Sequence, residues 1–156
     1  MANSQSMCTS FMKELLLGQH QFGTSTLVSR TSLTSPTTDT FKAALYLASA
    51  TVNAATTAYS STNEVTGTGY TAGGVTVTFG TAPSTSGTTA FVTPSASISY
   101  SAVTLSTAFD AVLIYNSTQS NKAVSVHTFG SQTVTAGTFT LTMPVNDAST
   151  GLIRLA

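Results

Sequence analysis

Apolar residues alternate with Ser and Thr along most of this chain, and that period of two restricts it to β-structure. Val75, Val77 and Phe79 are separated by Thr76 and Thr78; Ala96, Ile98, Tyr100 and Ala102 are separated by Ser97, Ser99 and Ser101. Val124 and Val126 alternate with Ser125 and His127, and Phe139, Leu141 and Met143 with Thr140 and Thr142. Successive side chains of a strand point to opposite faces, so each run reads as a half-buried strand. Phe41 to Leu47 and Phe109 to Tyr115 are more continuously apolar, which predicts central strands buried on both faces. The first of these is rich enough in alanine to suit a helix as well. Leu152 to Leu155 reads as a last short strand. Turn signals stand between the runs at Gly73-Gly74, Pro83 with Gly87, Asn116 to Asn121, Ala136-Gly137 and Asn146-Asp147. The spacing predicts seven or eight short antiparallel strands, hence an all-β body over 39–156 of the β-sandwich or jelly-roll kind.

Residues 1–38 follow a different pattern. Thr9 or Ser10 is placed to cap a short helix in which Met7, Phe11 and Leu15 recur at four-residue spacing, and Gly18 is placed to end it. About two turns of helix are not stable in isolation. Its apolar side chains, Phe11, Leu15 and Leu16, are therefore expected to dock on the body or on a neighbouring subunit. The stretch from Gly23 to Thr38, rich in Ser and Thr and containing Pro36, reads as an extended arm.

Composition sets what the surface can do. Lys plus Arg number 5 and Asp plus Glu number 5, a 6% charged content against about 25% in ordinary soluble domains. Net charge is zero and no basic cluster occurs, so the chain is not built to attract nucleic acid or an anionic membrane. A neutral surface in which Ser and Thr make up roughly a third of the residues favours association over dispersal, and self-association is expected. The one cysteine, Cys8, excludes an internal disulfide and a multi-thiolate metal site. The first residues lack a basic run, and the Leu15 to Leu17 cluster is too short for a signal or a span, so synthesis and assembly in the cytosol are expected.

Motifs that would carry catalysis are weak. Gly67-Thr68-Gly69-Tyr70-Thr71-Ala72 matches a dinucleotide fingerprint in letters, but the fingerprint needs a strand before it and a helix after it, and a strand-like run follows here. It reads as a turn-forming loop. His20, His127, Asp39, Asp110 and Asp147 supply triad members in principle, yet with hydroxyls everywhere such a triad is easily drawn by chance, and no G-x-S-x-G elbow occurs. The two histidines show no metal-ligand spacing. Asn116-Ser117-Thr118 is a glycosylation sequon in form and a polar turn in context. Asp110 interrupts an apolar strand, and Arg154, Lys42 or backbone amides are the expected partners. Glu64, the only acid in a long uncharged stretch, is expected to accept hydrogen bonds from loop amides or to pair with Arg30 or Arg154. In that role it orders the loop formed by Gly67, Gly69, Gly73 and Gly74. No catalytic residue, cofactor site or metal site is expected.

One further pattern links distant segments: Gly18, His20 and Phe22 after the helix, DTFKAALY from Asp39, ATTAYSSTNEVTGTGYTAGG from Ala55, IYNSTQSNKAVSVHTFGS from Ile114, and a closing GLIRLA. It resembles a family of small structural proteins of tailed bacteriophages, over nearly the whole chain and most specifically from Tyr59 to Gly74. The resemblance implies a virion component without catalysis, assembled in the host cytoplasm. Its partners would be the major capsid protein or other virion proteins and copies of itself. A capsid cement or decoration role is the first expectation. A tail, connector or baseplate and fibre-adaptor component is the second, and a surface glycan-binding module the third. Gly23 to Thr38 departs from the family pattern in being longer.

Overall fold

The computed structural model describes residues 3–8, 10–11, 15, 20, 22–23 and 39–155; the fold is all-β, with helical backbone among the described residues at Ser10, Phe11 and Leu15 alone. Five strands form one antiparallel sheet in the order β1 (Ser6–Met7), β7 (Lys122–Leu141), β6 (Ile98–Asn116), β2 (Phe41–Leu47), β3 (Val75–Val77). A second antiparallel sheet has the order β4 (Ser84–Ser86), β5 (Thr89–Val92), β8 (Ile153–Leu155). The alanine-rich β2 is a strand with every position from Ala43 to Tyr46 buried, because β6 and β3 flank it and side chains pack on both of its faces.

The main departure from the sequence pattern is strand length. β6 runs for 19 residues and β7 for 20, so the runs expected as four separate strands are two halves of one long hairpin. Ala136-Gly137, expected as a turn, is instead a bulge inside β7. Ala136 takes φ 46°, and its amide leaves the ladder to bond Thr104 Oγ1 at 3.0 Å. Further register shifts at Tyr100/Val103, Leu105/Phe109, Phe109/Ala111 and Ile114/Tyr115 break the alternation repeatedly. A bulge and a turn share the same local signature, a residue able to take positive φ beside a glycine. The hairpin closes at Ser117 to Asn121, where Ser120 and Asn121 take φ 54° and 58°.

The core lies against the closed half of this hairpin. Ala111 to Tyr115 of β6 and Ala123 to Val126 of β7 are buried, with Phe41, Leu45 and Phe109 among the fully enclosed side chains. The expected helix and arm fall largely outside the described residues. Apart from the exposed Ser4 and Gln5, those described before Asp39 are packed against the body. Ser6 and Met7 pair with Val126 and Ser125, and Cys8 and Phe11 have no exposed surface. Phe22 stacks on Phe41 at 4.6 Å between ring centres and meets Phe79 edge-on at 5.0 Å.

Candidate functional site

The stretch between β2 and β3 is an irregular loop that nevertheless hydrogen-bonds like a strand. Leu47 N donates to Asn63 O and Val65 N to Leu45 O, so Asn63–Val65 covers the edge of β2 beyond the reach of β3. Farther on, Thr104 N donates to Thr68 O, which covers part of β6. Backbones approach closely there. A β-carbon at Gly74, which has φ +71°, would collide with the Ala43 carbonyl, and one at Gly67 with that of Thr104. Gly69 lies in the same way against Ala102.

Glu64 sits at the centre of this loop with 5% of its surface exposed. Its Oε2 accepts from the Tyr59 hydroxyl at 2.6 Å, and its Oε1 accepts from the Tyr70 hydroxyl at 2.7 Å and from the Gly73 amide at 2.8 Å. Charge-assisted bonds of this kind offset the loss of hydration that burial imposes on a carboxylate. The Tyr70 hydroxyl also accepts from Leu45 N at 3.0 Å, which links loop and strand. Tyr115 donates to Gly73 O and Tyr100 to Ala43 O, both at 2.8 Å. Tyr46 donates to Ser60 O and accepts from Ser60 N. All five tyrosines of the chain thus meet around one carboxylate, with Tyr59 stacked on Tyr115 at 4.7 Å and Tyr70 on Tyr100 at 5.9 Å. Burial, seconded for Tyr59 and Tyr70 by the bond to Glu64, raises every one of these hydroxyls above its ordinary value, Tyr46 to about 12. They remain protonated donors at neutral pH, so the cluster acts as a lock holding loop to sheet. Arg154, a partner considered for Glu64, instead donates to the Ala148 and Ser149 carbonyls, and Arg30 lies outside the described residues. The convergence of tyrosines was not legible in the sequence, because Tyr100 and Tyr115 lie near opposite ends of β6 and only the fold brings their hydroxyls to Ala43 O and Gly73 O.

Phe11 and Leu15, expected to dock on the body or on a neighbouring subunit, pack against the body. Phe11 is fully enclosed and edge-on to His20 at 4.9 Å and to Phe22 at 5.9 Å, and Leu15 is half-buried. Leu16 lies outside the described residues. Phe11, Leu15 and Phe22 line one side of an open apolar pocket of about 120 Å³ whose other side is formed by Phe91, Ile153 and Leu155.

The other polar groups singled out in the sequence are engaged in structure, except Ser10 Oγ, an expected cap, which is buried without a hydrogen-bond partner among the described residues. Asp110 accepts from Asn3 Nδ2 at 2.5 Å, in place of Arg154 or Lys42. Asn116 has no exposed surface and donates to Asp39 Oδ2 at 2.6 Å, which removes it as a sugar acceptor. Asp147 holds its own turn through the amides of Ser149 and Thr150, which draw its carboxyl below the usual range. Ser125 Oγ and His127 Nε2 lie 2.9 Å apart, the geometry of a nucleophile and its base. Burial pushes His127 down to about 4, which makes it a weak base at neutral pH. Among the described residues no carboxylate orients the ring, as a triad requires. Among the described residues, too, no group of three or more His, Cys, Asp or Glu gathers to hold a metal, and no helix is long and apolar enough to cross a membrane. No family model, curated protein or solved structure matches the chain.

Proposed function

We propose that this chain is a non-enzymatic structural protein of a tailed-bacteriophage virion, and that it serves as a capsid cement or decoration protein that stabilises the shell. In this reading the two sheets form a β-sandwich body, the N-terminal segment is a helix and arm, and the partners are the major capsid protein and copies of itself. Neither nucleic acid nor membrane is a partner. The observation that carries the reading is the surface of the outer half of the long hairpin. Residues 123–146 hold no Lys, Arg, Asp or Glu, and Gly130 to Gln132, Thr133, Thr135, Thr138 and Thr140 are exposed. A broad neutral hydroxyl face suits contacts repeated many times on a shell, where like charges on neighbouring copies would repel. The tyrosines are tied into the Glu64 lock and the chain has no Trp, so a sugar-stacking platform finds no support among the described residues.

Copy number tests the proposal. Quantitative mass spectrometry of purified virions should find the chain at a fixed ratio near unity, or a simple fraction, to the major capsid protein. A dozen copies or fewer per particle would move it to the tail, connector or baseplate, and its absence from virions would overturn the reading altogether.

A further inference from the structure

The sheet edges of this molecule are treated unequally. β1, β3, β4 and β8 are edge strands of two or three residues, short enough to offer little to a neighbour. The edge of β2 beyond β3 is covered by Asn63–Val65, and part of the outer half of β6 by Thr68. β7 is different. β1 pairs with it only at Ser125 and Val126, and from Thr128 to Leu141 its outer side pairs with no strand among the described residues. Burial follows the pairing: Ala123 to Val126 are enclosed, whereas Phe129, Val134, Phe139 and Leu141 are only half-buried and the residues between them mostly exposed.

Natural edges of this length are usually protected by Lys, by Pro or by bulges. This one has no charged residue and no Pro, and relies on the bulge at Ala136 and a local bond from Gln132 Nε2 to Gly130 O. We infer that the open edge of β7, Thr128 to Leu141, is an assembly edge on which a second copy of this chain adds its own β7 antiparallel, about a two-fold axis. The edge suits itself in charge, because two uncharged strands of a neutral protein meet without repulsion. It also suits itself in side chains. Antiparallel pairing places threonines of one copy beside threonines of the other, the mode already present where Ser99 Oγ and Thr140 Oγ1 meet at 3.0 Å. On the opposite face Val134, Phe139 and Leu141, half-covered in one copy, gain cover from their counterparts. The inference rests on the sheet edge and not on the virion reading.

The test uses the purified full chain. Sedimentation velocity from about 1 to 100 µM should show a monomer–dimer equilibrium, and hydrogen exchange should slow in residues 128–141 as concentration rises. Thr138→Lys with Thr140→Lys, two exposed positions of which only Thr140 gives up a hydroxyl contact, with Ser99, should weaken dimerisation at least tenfold by placing like charges across the axis, with an unchanged circular dichroism spectrum confirming the fold. Thr138→Glu with Thr140→Glu should do the same, and mixing the two variants should restore a dimer. A wild-type chain that stays monomeric at 100 µM overturns the inference, as does a dimer indifferent to both variants. Either failure leaves the copy number on virions, and the proposal that depends on it, to stand on their own measurement.

Discussion

Replacing Glu64 is the most direct probe of what holds this fold together. Glu64→Gln keeps the shape and one carbonyl oxygen, so the Gly73 amide and one tyrosine retain an acceptor. The position of Oε2, however, now carries an NH₂ facing the Tyr59 hydroxyl, and the charge that strengthened all three bonds is gone. Hydrogen bonds to a charged group contribute about 1.5–3 kcal/mol each and neutral ones about 1, so weakening two of the three and disrupting the third amounts to about 2–3 kcal/mol at the lower end of those ranges. Glu64→Ala goes further. It leaves two tyrosine hydroxyls and the Gly73 amide without an acceptor, at about 1–3 kcal/mol for each donor that water does not reach, and about 4–6 kcal/mol in sum. That is a large share of the roughly 5–15 kcal/mol typical of a whole domain. For a chain of this size 1 kcal/mol corresponds to about 2–4 °C, so thermal melts should fall by about 5–10 °C for Gln and by 10 °C or more for Ala. A double-mutant cycle of Glu64→Gln with Tyr59→Phe should show coupling of about 1 kcal/mol or more, since both remove the same bond. Melts of Glu64→Ala within 2 °C of wild type would refute the reasoning, and would mean that the loop is held by its glycine contacts and backbone pairing alone.

Three further outcomes follow from the same geometry. Stability should fall steeply above pH 10: unfolded tyrosines ionise near 10 while Tyr46 in the fold waits until about 12 and Tyr100 is also raised, so the unfolded state sheds protons first. These two buried hydroxyls together should remove about 3 kcal/mol per pH unit in that window, and a flat urea midpoint from pH 9.5 to 11 would contradict it. Gly74→Ala should destabilise by more than about 2 kcal/mol through its collision with the Ala43 carbonyl, while Gly130→Ala, which meets nothing within 4 Å, should be neutral in the same denaturant titration. Phe11→Ala should lower stability by about 3–5 kcal/mol, as for any enclosed aromatic, and an unchanged melt would return the N-terminal segment to the role of a free docking arm.

The fold class was legible because period-two alternation survives in stretches of strand with one solvated face, as at Ile98 to Tyr100 and Phe139 to Leu141, even though it fails at Ser101-Ala102 and along β5 and β8. Thr140 and Thr142 are out and Phe139 and Leu141 turned inward, as the pattern reads. The alternation loses its meaning at Ala123 to Val126, where Ser125 is buried beside Val124 and Val126 because packing covers both faces. Strand length was not legible, since Ala136-Gly137 has the same residue chemistry whether the chain reverses or bulges, and the choice is made by Thr104 Oγ1 accepting the Ala136 amide from across the hairpin. Where Phe11 docks was left open for a related reason. A two-turn apolar helix has no sequence mark that says whether its ring goes to its own body or to a partner, and here Phe22, Phe41 and Phe79 form the aromatic nest beside it.

Glu64 was singled out by isolation, as the one acid between Lys42 and Asp110, and its surroundings explain why isolation matters. A second carboxylate nearby would compete for the same donors and repel it, whereas tyrosines supply donors that carry no charge of their own and fill space with apolar rings. The chain has few charges with which to fix its loops. The buried Glu64 carboxylate, approached by hydroxyls from the loop itself, with β2 and β6 supplying the neighbouring tyrosines, defines one arrangement of those elements, because displacing any of the tyrosines bonded to it strands a polar group in the core. The same lock seals the edge of β2 and part of that of β6, which leaves β7 as the long edge still open among the described residues. Internal order is thus fixed on one flank of the hairpin, and the open edge from which assembly is inferred lies on the other.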